Sequence, residues 1–427
     1  MSRLLILASK LGYQSGSFAE AAKRLGVDVV FASDRCHQLS DPWADGAIAV
    51  RFDQPEEAAR RIVQQSLVQP VDGVIALGDR ATSTAAYTAR ALGLAYNSPQ
   101  AVENCRSKLR QREILRDAGL PVPAFFSFRL DKRVEKVLPR VQFPCVIKPL
   151  RRAASQGVIR ANSPEEFQAA VERIKKLLET PEIQVEREPE TDRLLVERYI
   201  PGKEVSVEGL LTRGKVRILA IFDKPDALEG PYFEETLYVA PSRLPDKEYD
   251  SVIDCAAKTV QALGLTHGPV HAEFRVNNEG PWVLEAAARP IGGLCARAVR
   301  LGPQRMPLEE LLVRHSLGMP GTDLEREDGA SGVMMIPVPK SGVLEKVEGE
   351  EQARAVAGVE DVTITARLRD FIAAWPDGSS YLGFIFARGN SPEEVESALR
   401  QAHGALKFEI TERLPVANPV TGAVPTA

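Results

Sequence analysis

Residues 270–293 read V-H-A-E-F-R-V-N-N-E-G-P-W-V-L-E-A-A-A-R-P-I-G-G. Two apolar, alternating runs flank Asn277-Asn278-Glu279-Gly280, a turn signal that predicts a β-hairpin. Each run carries one carboxylate, so the hairpin sets Glu273 and Glu285 side by side on neighbouring strands. Two acids held that close repel unless a cation lies between them, and an oxygen-ligated Mg²⁺ meets that need. Arg289 follows Glu285 closely enough to reach a phosphate held by such a metal. The lesser alternative for the stretch read in isolation is a half-buried hairpin with two surface acids.

Working outward, the 427 residues suggest several domains with ample material for cores. The net charge of −4 comes from 54 basic and 58 acidic residues, a near balance that argues against a nucleic-acid partner. No apolar run has transmembrane length. The apolar Leu4–Ala8 after Met1-Ser2-Arg3 is too short for a signal peptide, and Lys10 and Gly12 interrupt the chain just beyond it, so it reads as a first buried strand. The five cysteines, Cys36, Cys105, Cys145, Cys255 and Cys295, are scattered without metal spacing and point to a reducing cytoplasm. The five histidines are equally scattered, which argues against zinc.

Before residue 100, the runs Leu4–Ala8, Val27–Ala32, Ala47–Phe52 and Gly73–Leu77 alternate with helical spacing over Phe18–Leu25, Pro55–Gln65 and Asp79–Leu92. This alternation predicts a parallel α/β sheet. The loop Ser9–Ser17 has Gly12 and Gly16 but no G-x-G-x-x-G, so a nucleotide role there is weakly supported. A helical pair over 101–120 stops at Gly119 before Pro121. Strands are expected at Phe143–Lys148 and Val158–Ala161, then a helix capped by Ser163-Pro164-Glu165-Glu166. Residues 181–192 read as an exposed loop. Leu194–Tyr199, Glu204–Leu211 and Val216–Phe222 read as an antiparallel meander, followed by a long irregular stretch over 223–245. Helices are expected at about Lys247–Leu263, Ala296–Leu301 and Pro307–Leu317. The tail offers strands at Gly332–Val338, Thr363–Ala366, Leu382–Ala387 and Lys407–Thr411, a helix starting at Ser391, and a frayed end over 415–427. The expected domains are 1–106, 107–192, 193–320 and 321–427.

A site built on Glu273, Glu285 and Arg289 lacks cations for phosphates and a pocket for a base. Lys148 ends the apolar strand Phe143–Lys148, where a buried ammonium is costly unless it meets an anion. Taken alone it also reads as a lysine snorkelling at a strand end. The strand Leu194–Ile200 breaks sharply at Pro201-Gly202, freeing backbone groups to bind a purine edge. Glu204 follows, placed to accept bonds from ribose hydroxyls.

Five motifs then stand in one order: Lys108 in a helix before L-x-x-A-G-x-P-V-P, a strand ending in Ile147-Lys148-Pro149, Glu197-x-Tyr199-Ile200-x-Gly202-x-Glu204, the acidic hairpin, and Glu285-x-x-x-Arg289-Pro290. Together they resemble the ATP-grasp superfamily. The resemblance implies an N-terminal parallel α/β sheet, an ATP-grasp fold of two α+β subdomains and a C-terminal α+β domain. It also implies that Lys108 and Lys148 contact ATP phosphates, and that residues 151–157, with Ser155, Gln156 and Gly157, form a phosphate-covering loop. Glu197, Tyr199 and Ile200 would hold adenine, and Glu204 the ribose. Glu273 and Glu285 would bind Mg²⁺, with Mn²⁺ as a substitute, while Lys148 and Arg289 act in phosphoryl transfer. Two departures stand out. Ala287 occupies a position where the family often has Asn, which leaves the number of metals open. The phosphate loop has a single glycine, with Arg151 and Arg152 in place of a glycine-rich run.

The H-x-E-F start, the E-A-A-A-R ending and Gly230-Pro-Tyr-Phe-Glu-Glu-Thr236 are similar to the L-amino-acid ligase branch. That likeness implies ATP-dependent joining of a carboxylate to an amine through an acyl phosphate, with amino acids as substrates and ADP and phosphate released. The similar proteins also make a homodimer an expected assembly. His271, Glu235, Gly292 and Gly293 are the candidates for the substrate end. His271, which shares a strand face with Glu273, is read as orienting the substrate, as a base for the amine, or as a packed structural histidine. The run Ser380–Ala387 and its helix are similar in layout to biotin carboxylases, so a carboxylase is the alternative enzyme. A non-catalytic nucleotide-binding module is the alternative from another class.

Overall fold

The computed structural model describes residues 2–9, 12–34, 47–320 and 323–412. Cys36, His37 and the tail over 415–427 lie outside the described residues. At the N-terminal end, Ile48–Ala49, Asp28–Ser33, Arg3–Ala8 and Gly73–Leu77 form, in that order, a parallel sheet. Leu4, Leu5, Ile6 and Leu7 are fully buried, as a strand covered on both faces requires. The loop expected over 9–17 ends early, because the helix Tyr13–Arg24 already starts after Gly12. The Ser15 hydroxyl takes the Gly12 N–H at 2.8 Å, which replaces a missing intrahelical partner.

A second, antiparallel sheet runs Phe125–Arg129, Arg193–Arg198, Cys145–Pro149, Ile159–Ala161. The helix Pro164–Leu178 packs Phe167, Ala170, Val171 and Ile174 against it. The Ser163 hydroxyl caps it, accepting from Glu166 N at 3.2 Å, as its sequence predicts.

The third sheet has eight strands, in the order Gly280–Ala287, Gly268–Asn277, Lys203–Thr212, Lys215–Asp223, Leu237–Ala240, Ala330–Ile336, Gly383–Gly389, Val359–Ile364. The expected meander is therefore corrected. Arg193–Arg198 belongs to the second sheet, and only Lys203–Thr212 and Lys215–Asp223 pair as a hairpin. The chain changes sheets at Pro201-Gly202. Gly202 has φ +129, and a Cβ there would lie 2.3 Å from Val276 O, so no other residue fits. The irregular 223–245 stretch contains the buried strand Leu237–Ala240, which links the acidic hairpin's sheet to strands after residue 320.

Other differences are local. The segment over 296–301 is a 3₁₀ turn, Cys295–Ala298, followed by the strand Arg300–Leu301, not a helix. The stretch expected as an exposed loop over 181–192 holds a short helix, Pro181–Gln184, and two buried acids, Glu186 and Glu188. They are buried because they neutralise arginines: Arg80 and Arg106 reach Glu188 at 3.0 and 2.7 Å, and Arg152 reaches Glu186. Among the described residues no helix is long and apolar enough to cross a membrane. The four described cysteines are free and buried.

Candidate active site

The two antiparallel sheets face each other across a cavity of about 320 Å³. Its apolar lining includes Val146 of the smaller sheet, Val158 just before that sheet's strand Ile159–Ala161, Ile200, and Leu284 of the larger sheet. Polar groups converge on the rest. Such a cleft, apolar with a few placed charges, is where a small ligand binds.

The acidic hairpin forms as its sequence predicts, with Glu273 directly opposite Glu285 and Asn277 opposite Gly280. The two acids are nevertheless turned to different partners. Glu285 takes the Lys108 ammonium at 2.9 Å. Glu273 takes Lys224 and His271, each at 3.3 Å. Among the described residues, the three-carboxylate group with oxygens close together is Glu204, Glu235 and Glu273, without Glu285. The Lys224 ammonium reaches all three: Glu204 at 2.9 Å, Glu273 at 3.3 Å and Glu235 in a shorter contact. Burial works against the charge on Lys224, but the three acids outweigh it and raise its pKa well above the lysine range.

His271 is fixed on both ring nitrogens, by Glu208 on Nδ1 and by Glu273 on Nε2. Burial opposes its charge, yet Glu208 and Glu273 lift its pKa to about 9. With both ring nitrogens engaged by carboxylates, His271 has the surroundings that the packed, structural reading describes.

Elsewhere in the cavity, Lys148 lies 2.7 Å from Glu197, whose other oxygen takes Arg112 at 2.6 Å. Both Glu197 oxygens are thus engaged by cations. Burial lowers the Lys148 pKa and Glu197 only partly restores it, because Arg112 and Lys108 stand nearby. This lysine gains from any added anion. Lys108 Nζ also donates to Arg152 O at 2.7 Å, tying the 151–157 loop to the hairpin. Arg151 reaches Glu190 at 2.8 Å and Glu103, while the Gln156 side chain accepts from Arg152 Nε at 2.9 Å.

At the hinge, Arg275 donates to Tyr199 Oη at 2.7 Å, Ile200 O at 2.9 Å and Glu204 at 3.0 Å. Ser155, Tyr199, Ile200 and Glu204 all line the cavity, whereas Gln156 and Gly157 are not part of its lining. Arg289 lines it too, held by Asp79 at 3.0 Å, as do Gly292 and Gly293. A Cβ on Gly293 would meet the Phe384 ring at 2.8 Å. Glu235 accepts from Tyr238 Oη at 2.6 Å, and burial together with Glu273 raises its pKa.

Sequence reasoning missed Asp79, Arg112, Lys224 and Arg275. Lys224 and Arg275 had a usable signal, each being a cation inside or just after a strongly apolar strand. Asp79 and Arg112 had none, because they come from helices whose contacts are distant in sequence.

Residues 141–298 match the model of the ATP-grasp domain, 334–411 that of L-amino acid ligase C-terminal domain 2, and 19–95 that of the ATP-grasp N-terminal domain. The chain belongs to the ATP-grasp superfamily, in its L-amino acid ligase branch. Membership in ATP-grasp implies ATP binding, and the branch is one of ATP-dependent carboxylate–amine ligases. The crystal structure of an L-amino acid ligase from Bacillus licheniformis superposes with a TM-score of 0.80 at 27% identity, covering 96% of this chain and 99% of that one. The uncharacterized protein y4rH of Sinorhizobium fredii is 25% identical over 96% of this chain and 84% of its own length. The alanine–anticapsin ligase of Bacillus subtilis is 24% identical over 56% of this chain, and the chain spans about half of that relative, 52%.

Proposed function

We propose that this ATP-grasp protein joins the carboxylate of one amino acid to the amine of another, with ATP as the energy source. One observation carries the reading. A single cavity is lined both by the cations Lys108, Lys148 and Arg289 and by the clustered carboxylates Glu204, Glu235 and Glu273. A substrate carboxylate bound in it would have its attacking oxygen beside cations that stabilise the transferring phosphoryl group.

A substrate carboxylate oxygen attacks the γ-phosphorus of ATP, the bond from that phosphorus to the β,γ-bridging oxygen breaks, and ADP leaves. The amine nitrogen then attacks the acyl carbon, the carbon–oxygen bond to phosphate breaks with its electron pair, and the amine proton goes to solvent. Lys148 and Arg289 neutralise the charge that builds on the phosphoryl oxygens. Tyr199, Ile200 and Glu204 orient the nucleoside, and the loop 151–157 excludes water. Glu235, Gly292 and Gly293 face the substrate end, with His271 behind it.

Glu273 and Glu285 suit Mg²⁺ by donor chemistry, as paired carboxylates that each engage a cation in this structure. Bound there, the metal would neutralise phosphate oxygens. The test is a phosphate-release screen over pairs of amino acids, with product masses measured. Phosphate and a condensed product formed only with amino acids support the proposal. Turnover that needs bicarbonate plus biotin instead would overturn it in favour of a carboxylase.

A further inference from the structure

The segment over 375–381 touches two ends of the cavity. At one end it holds the loop over 151–157. The Trp375 indole N–H donates to Ala154 O at 3.1 Å, the Gly157 N–H to Pro376 O at 3.1 Å, and the Gln156 side-chain amide to Asp377 O at 2.8 Å. Arg173, on the helix Pro164–Leu178, grips both Asp377 oxygens at 3.2 and 2.7 Å. At the other end Ser379 and Tyr381 line the cavity, and Tyr381 feels the charge of Glu235. The Tyr381 ring stacks on Trp375, with centroids 4.9 Å apart and planes at 29°.

The loop's own sequence does not favour the shape it has. Ala154 and Ser155 sit at φ +54 and +53, in the left-handed region that residues with a Cβ adopt only at a cost. Such a conformation persists where surrounding contacts over-determine it. Here those contacts come from Lys108 beneath and from the 375–377 segment above.

We propose that Trp375 is a positioning residue that latches the 151–157 loop shut, and that its stack on Tyr381 makes closure depend on the occupant of the amino-acid end. The second half rests on the ligase reading above; the latch on the loop does not. With the loop open, water reaches the acyl phosphate and phosphate leaves without an amide being formed.

The test uses the full chain as wild type, Trp375→Phe and Trp375→Ala, each with folding verified by circular dichroism. Phe keeps a ring against Tyr381 but has no N–H for Ala154. Hydrogen exchange at the Gly157 amide, measured with and without MgADP, reports the loop and needs no turnover. Exchange should quicken about fivefold in Trp375→Phe, the worth of one hydrogen bond, and further in Trp375→Ala. The ratio of phosphate released to amide formed should climb above one, more for Ala than for Phe. A merely structural role would lower both products together and leave that ratio at one. Unchanged Gly157 exchange in the folded variants overturns the latch. Faster exchange with a ratio still at one keeps the latch and overturns its link to water exclusion. Faster exchange in a protein that turns over no amino-acid pair supports the latch while defeating the ligase reading. Should Trp375→Ala not fold, Trp375→Phe alone decides.

Discussion

Arg289 donates from Nε and Nη2 to a single oxygen of Asp79, at 3.1 and 3.0 Å. Asp79 opens the helix Asp79–Leu92 of the N-terminal sheet domain, so Arg289, a cation lining the cavity, is aimed by a residue far away in sequence. Burial disfavours the Asp79 carboxylate, but Arg289 outweighs it and leaves its pKa below the usual range. Asp79→Asn keeps the side chain's size and removes the charge that grips Arg289. Its kcat should fall about tenfold with Tm little changed, because a misplaced cation costs transition-state stabilisation more than folding energy. Unchanged steady-state kinetics would detach Asp79 from the site.

Glu285→Ala should remove Mg²⁺-dependent turnover, by a factor on the order of 10² or more. It frees Lys108 from its 2.9 Å partner without opening the core, so circular dichroism should match the wild type. Near-normal activity at ordinary Mg²⁺ concentration would refute the metal assignment.

Lys148 carries a pKa that burial pulls below the ordinary lysine range. In the free enzyme, kcat/KM for ATP should therefore fall on the alkaline side earlier than an ordinary lysine would allow. Lys148→Arg keeps the charge at all working pH values and should remove that limb. Lys148→Ala should raise KM for ATP about tenfold or more; unchanged nucleotide affinity would place Lys148 outside the site.

His267 and His315 stack at 4.3 Å between centroids, and His315 Nε2 lies 2.9 Å from the Thr212 hydroxyl. Burial, then the neighbouring His267, lowers the His315 pKa to about 4. A depressed folded-state value means its contribution is fully present above about pH 6.5 and is lost as pH falls toward 4. At this partly exposed position the loss is on the order of 1 kcal/mol. Denaturant titrations from pH 7 to 4 should show a shallower acid decline for His315→Gln; parallel curves would refute the assignment.

Much of this was legible along the chain. The hairpin registered as read, with Glu273 opposite Glu285, because alternation and the Asn277–Gly280 turn are short-range signals. The Ser163 and Ser391 caps formed for the same reason. The errors fell where a local pattern met a distant partner. Arg193–Arg198 has the alternation of a strand, but no strand pattern says which sheet it joins. Residues 181–192 look solvated, yet Glu186 and Glu188 are buried because arginines from elsewhere neutralise them.

By itself the sequence determined most of the elements, the two hairpin acids and the order of motifs from Lys108 to Arg289, since each depends on spacing along one stretch of backbone. Only the tertiary structure decided which charge meets which. Lys108 closes on Glu285, Lys148 shares Glu197 with Arg112, Lys224 gathers three carboxylates, and Asp79 holds Arg289. These pairings follow from electrostatics at a few ångströms between segments far apart in the chain, and those distances exist only once the sheets have packed.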